Sequence, residues 1–152
     1  MTAVGVVVAG LVLVAIITVV VIFGTTRHVA VPGGVSVSSD ACNVVTPDEA
    51  TAAFGHPAGP PHYVLGACVY DDGLNDELIV EVVRKGARET FTAGRSSTAT
   101  DVPGVGDSAY YVDGRLRVLK GTSLMQLVLG PTPSDTPSPK LLALANAAVG
   151  RL

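Results

Sequence analysis

No Asp, Glu, Lys or Arg occurs between Ala3 and Phe23, and Thr18 is the only hydroxyl residue in that stretch. Elsewhere Lys and Arg are scattered, with only Arg84 and Lys85 adjacent, on a chain of net charge -3. Binding to nucleic-acid phosphates needs a basic patch, so a nucleic-acid partner is disfavoured. The chain lacks a Cys-x-x-Cys pair, a Cys/His cluster and a Gly-x-Ser-x-Gly elbow, which removes the commonest zinc, redox and hydrolase signatures. Tryptophan is absent, aromatics are few, and Ala, Val and Gly are abundant. That bias fits a GC-rich bacterial genome.

What is present begins with the uncharged run itself. At about 1.5 Å per residue a helix over Ala3–Phe23 reaches roughly 32 Å, enough for a hydrocarbon core of about 30 Å. A cleaved leader has a shorter apolar core and ends at a small-x-small site. Here Phe23 is followed by Gly24, Thr25, Thr26, Arg27 and His28, which offers no such site. A lipoprotein needs a cysteine directly after the run, whereas the first is Cys42. Residues 1–24 are therefore expected to be an uncleaved transmembrane anchor. Arg27 behind the run, with no basic residue before it, argues for a C-terminal domain inside. Two cysteines suited to one disulfide argue for a domain outside, and the outside reading is adopted. The missing basic residue is also consistent with a start upstream of Met1.

Pro32-Gly33-Gly34 and Ser36, Ser38 and Ser39 give residues 25–41 the composition of a flexible linker. Residues 42–152 then carry the signals of one small α+β domain. Thr46-Pro47-Asp48-Glu49 combines a hydroxyl cap, a proline at the first helical position and a glutamate able to reach back to the cap. The helix runs to Phe54, with Gly55 where a left-handed residue is wanted. Prolines 57, 60 and 61 make His56 to His62 a loop. Strands are expected at Ala67–Asp71 and Glu77–Arg84, the latter apolar on both faces and so central. A short helix is expected from Arg88 to Ala93. Ser108–Val112, Arg115–Lys120 and Ser123–Leu129 read as further strands, the first two joined by an Asp113-Gly114 turn. Four prolines make Gly130–Pro139 an extended loop, and Ser138 caps a last helix rich in leucine and alanine. The expected architecture is a mainly antiparallel sheet packed by two or three helices.

A Cys42–Cys68 disulfide would tie the segment before the first helix to the first strand; two reduced, buried thiols are the alternative. Gly104-x-Gly106-x-x-Ala109 fits the letters of a dinucleotide fingerprint, but it follows Pro103 and leads into a strand signal, so it reads as a turn. Asp71, Asp72, Asp76 and Glu77 could gather around Ca2+, yet their spacing matches no EF-hand loop and a solvated hairpin turn explains them. His56 and His62 could share a metal, but a proline-rich loop offers neither a rigid scaffold nor a third ligand. Ser108 has no histidine near it in sequence. Tyr63, Tyr70, Tyr110 and Tyr111 could line a ligand groove, and are more simply core edges with their hydroxyls in water. No metal, cofactor or catalytic residue is assigned.

Cys42, the Thr46-Pro47-Asp48-Glu49-Ala50 helix start ending at Phe54-Gly55, Cys68-Val69-Tyr70, the segment Val102 to Tyr110 and a closing hairpin with Lys120-Gly121 resemble small actinobacterial cell-envelope proteins of unknown function. Many of those are lipoproteins, and they are distantly similar to extracellular sensor domains of mycobacterial kinases. The resemblance implies an envelope location and supplies no catalytic residue. The expected function is non-catalytic binding of a partner, lipid or wall component across the sheet. The alternatives are an extracytoplasmic enzyme with a site dispersed over loops and a ligand sensor acting through a membrane partner.

Overall fold

The computed structural model describes residues 36–37, 39–130 and 134–152. The expected anchor, 1–24, and most of the linker lie outside the described residues. Among the described residues no helix is long and apolar enough to cross a membrane.

Among the described residues eight strands form one antiparallel sheet: β1 Ser36–Val37, β2 His62–Val64, β3 Ala67–Asp71, β4 Glu77–Lys85, β5 Thr100–Asp101, β6 Ser108–Val112, β7 Arg115–Lys120 and β8 Ser123–Leu129. Seven follow the order β2-β3-β4-β8-β7-β6-β5. β1 takes the edge of β4 beyond the point where β3 ends, with Val37 opposite Val83 and Ser36 opposite Lys85. β4 is central, as its two apolar faces require, with Val80 flanked by Cys68 on β3 and Leu127 on β8.

Among the described residues three α-helices, α1 Pro47–Phe54, α2 Ala87–Ala93 and α3 Pro139–Ala148, complete the α+β fold. α1 starts on a full capping box, in which the Thr46 hydroxyl accepts from the Glu49 amide and the Glu49 carboxylate accepts from the Thr46 amide. It stops at Gly55, whose φ of +88° no Cβ opposes. The Ser138 hydroxyl accepts from the Leu141 amide and opens α3. Leu141, Leu144, Ala145 and Ala148 recur at helical spacing and are buried.

The sheet separates two cores. On one face α1, α3 and the 3-10 turn Ser39–Asn43 enclose Val80, Val82, Tyr70, Leu116, Val118, Met125 and Leu127. On the other, α2 covers only one corner, where Phe91 packs on Tyr110 among Val83, Leu119 and Leu124. Cys42 and Cys68 form a disulfide with 4.9 Å between their Cα atoms.

Three short strands depart from expectation. Ser36–Val37 and the first three residues of the Ser39–Asn43 turn fall inside the residues read as a flexible linker, yet Ala41 is completely buried. β2 lies at the end of the proline-rich loop, and β5 within the polar stretch before Val102. None carries a periodic pattern long enough to register, and each exists through its pairing with a longer neighbour.

Candidate binding face

The face opposite α1 and α3 is half open. Strand alternation puts His62 and Val64 of β2, Val69 of β3, Ile79 and Glu81 of β4, and Gln126 and Val128 of β8 on that side. Register lines His62, Val69, Ile79 and Val128 across four neighbouring strands. The next row holds Val64, Ala67, Glu81, Gln126, Arg117 and Tyr110. Among the described residues no helix packs on the β2-β3 half of these rows. An apolar stripe thus runs beside a polar one.

The polar row is tied together. Gln126 donates to Glu81 at 2.9 Å, and the Arg115 guanidinium stands 3.6 Å from the same carboxylate oxygen. Arg117 reaches the Thr90 carbonyl and the Tyr110 hydroxyl, each at 3.5 Å, while its Nε has no hydrogen-bond partner. Gly94 makes room for it, since a Cβ there would fall 1.5 Å from Arg117 Nη1. Arg95 covers the Tyr110 ring at 5.3 Å. Nothing local in the sequence brings Gly94, Arg95, Tyr110 and Arg117 together; two strands and a helix terminus do.

At the far end of β3, the loop before β4 curls around Asp72. Its Oδ1 accepts from the amides of Leu74, Asn75 and Asp76 at 2.7 to 3.0 Å. Its Oδ2 lies 3.2 Å from His56 Nε2, which is 3.8 Å from Asp76. The His56 ring stacks on Phe54. Burial works to raise the Asp72 pKa, but the three amides and the imidazole outweigh it, and the carboxyl lies below its ordinary value. One ligand atom from each of His56, Asp72 and Asp76 falls within 4.8 Å of the others, a donor set of the kind that holds a cation. The loop hydrogen bonds and the ion pair also account for the whole arrangement, as the turn reading of these aspartates expects.

The other groupings weighed and set aside from the sequence are not assembled. His62 faces Asp71 at 3.9 Å and not His56, so the two histidines do not share a site. Glu77 pairs with Asp71 in register at the start of β4 instead of joining Asp72 and Asp76. Gly104 and Gly106, at φ of +84° and +63°, turn the chain into β6 and not into a helix. Ser108, on β6, is five strands from His62, roughly 24 Å at the usual strand spacing. Asp101, Asp107 and Arg95 surround Ser108 in a shallow cleft. Three of the four tyrosines have protein partners in place of water: Tyr70 donates to the Val45 carbonyl, Tyr110 to that of Phe91, and Tyr111 meets Ser134. Burial, reinforced by the Glu49 charge, raises the Tyr70 pKa. Only Tyr63 is exposed.

No protein-family model, curated protein or solved structure matches the chain.

Proposed function

We propose that the protein is a single-span, membrane-anchored cell-envelope domain, held outside the cytoplasm, that binds an envelope partner through the open half of its sheet and performs no catalysis. The observation that carries the location is the coupling of an uncharged, membrane-length run to a domain closed by the Cys42–Cys68 disulfide. Support for binding comes from the sheet. Val64, Ile79 and Val128 offer apolar area, and Glu81 and Arg115 offer oriented polar atoms beside it. A flat, mixed surface of this kind suits a macromolecular partner better than a small substrate, which is usually held in a concave pocket.

A reporter active only outside the cytoplasm, fused after Leu152 of the full chain, tests the location. Activity is expected. Silence of that reporter, together with activity of a cytoplasmic one, overturns the reading and with it the compartment argument for the disulfide.

A further inference from the structure

The two ends of the sheet carry opposite charge. Register puts Lys85, the last residue of β4, at the same end as Lys120 and the Gly121–Thr122 turn between β7 and β8. Arg84 sits beside Ser123 there, and Arg88 lies in the first turn of α2 just past Lys85. The opposite end holds Asp71, Asp72, Asp76 and Glu77 around the β3–β4 loop, and Asp113 in the β6–β7 turn. Two acids stand among these cations: Asp107, held by Lys120 and the Gly121 amide, and the exposed Glu89 next to Arg88 in α2. Lys85 is exposed and has no ion-pair partner among the described residues.

The β2–β3 hairpin turns toward this basic end, Ala67 beside the turn lying opposite Glu81, four residues before Lys85 on β4. Leu65 and Gly66 form a two-residue loop with φ of +48° and +96°. Both angles are positive, the geometry that selects Asn, Asp or Gly at the first position. A leucine there is strained, and this one is also fully exposed, at 102 % of its reference area. Val64 and Tyr63 beside it are 44 % and 49 % exposed. Neither fold stability nor solubility explains three apolar residues at that tip. A hydrophobic environment outside the protein does.

We propose that the Leu65 hairpin tip, together with Lys85 and Arg88, docks on an anionic bilayer surface. An apolar tip entering the acyl boundary and lysine and arginine side chains meeting headgroup phosphates are the two contributions that hold peripheral segments on such membranes. The acidic end then faces away from the lipid, where the same charge would be repelled. The chain supports this placement. β1 enters the sheet at the basic end, and only residues 24–35 separate it from the uncharged run. Those twelve residues span at most roughly 43 Å. The last argument rests on reading the run as an anchor; the charge pattern and the exposed tip do not.

Absence of tryptophan makes the test direct. Full-length protein carrying Leu65→Trp is reconstituted in lipid nanodiscs of phosphatidylcholine with or without phosphatidylglycerol, and its emission is read against lipids brominated in the upper acyl chain. A blue-shifted emission quenched by the brominated lipid is expected in anionic discs and not in zwitterionic ones. Lys85→Gln and Arg88→Gln should each lower the docked-to-undocked ratio about fivefold. Tyr63→Trp, an aromatic exchange on the strand itself, gives the same readout if the turn rejects the larger ring. Water-like emission from both probes in anionic discs overturns the docking, as does a blue shift that brominated lipid fails to quench. A separate Leu13→Trp variant reports on the run. Quenched Leu13→Trp with water-like emission at the tip rejects the docking and leaves the anchor standing. Unquenched Leu13→Trp with a quenched tip rejects the anchor and leaves the docking standing.

Discussion

Asp72 shows how one side chain can organise a whole loop. Its carboxylate collects three amides from the five residues that follow it and faces an imidazole stacked on α1. Asp107 plays a similar part at the other end, where the Gly121 amide and then the Lys120 ammonium lower its pKa. Glu49 is lowered as well: burial opposes, but Arg151 and the Thr46 amide and hydroxyl prevail. A carboxyl whose pKa is lower folded than unfolded stabilises the fold above its unfolded pKa, and the contribution fades as pH falls through the folded value. The urea midpoint should therefore be flat near neutrality and fall once the pH drops below about 4, where ordinary carboxyls begin to protonate. Asp72→Asn should flatten part of that fall; a titration indistinguishable from the parent would show that the loop does not depend on the charge.

At the scale of elements, the disulfide joins a 3-10 turn to β3 across a sequence separation of 26 that includes all of α1 and β2. In the chain-entropy account a loop of this length contributes about 3.5 kcal/mol. Replacing both cysteines by alanine should lower the unfolding free energy by roughly that amount, read from urea unfolding as a lower midpoint together with a steeper slope, because the freed unfolded chain exposes more surface. An unchanged midpoint would mean that the unfolded chain is already constrained there. Elements with a local code were legible from the residues alone. Thr46 with Glu49, Gly55, Ser138 and the Asp113-Gly114 turn each write their geometry in neighbouring positions, and each adopts it. β1, β2 and β5 hold two or three residues and depend on partners elsewhere in the chain. The meeting of His56 with Asp72, and of Arg117 with Gly94, is likewise tertiary, so spacing along the sequence does not announce it.

Across the whole molecule the sheet is asymmetric, with α1 and α3 on one side and α2 over a single corner of the other. Neighbouring residues on β4 make the contrast measurable. Val80 is completely buried beneath the helices, and Ile79 is half-buried on the open face. Val80→Asp places an unpaired carboxylate in the core and should cost more than about 4 kcal/mol, whereas Ile79→Asp should cost about 1 kcal/mol or less. Thermal unfolding of the two variants separates them, and equal losses would mean that the open face is covered. The face was expected as a binding surface from the sequence, but which half stays uncovered depends on where α2 docks, and Phe91 and Ala87 decide that only together with Tyr110, Leu119 and Leu124.

The Cys42–Cys68 bond also sets how the domain would carry mechanical load. A pull from the N-terminal side can peel β1 from β4 and unwind the short turn behind it, but it stops at Cys42, because that residue is covalently fastened to β3. Tension then passes through sulfur into β3, which is paired on both sides, by β2 and β4. α1 and the β2 hairpin, enclosed between the two cysteines, are left out of the line of force. The surfaces that they present would keep their shape while the tether is stretched.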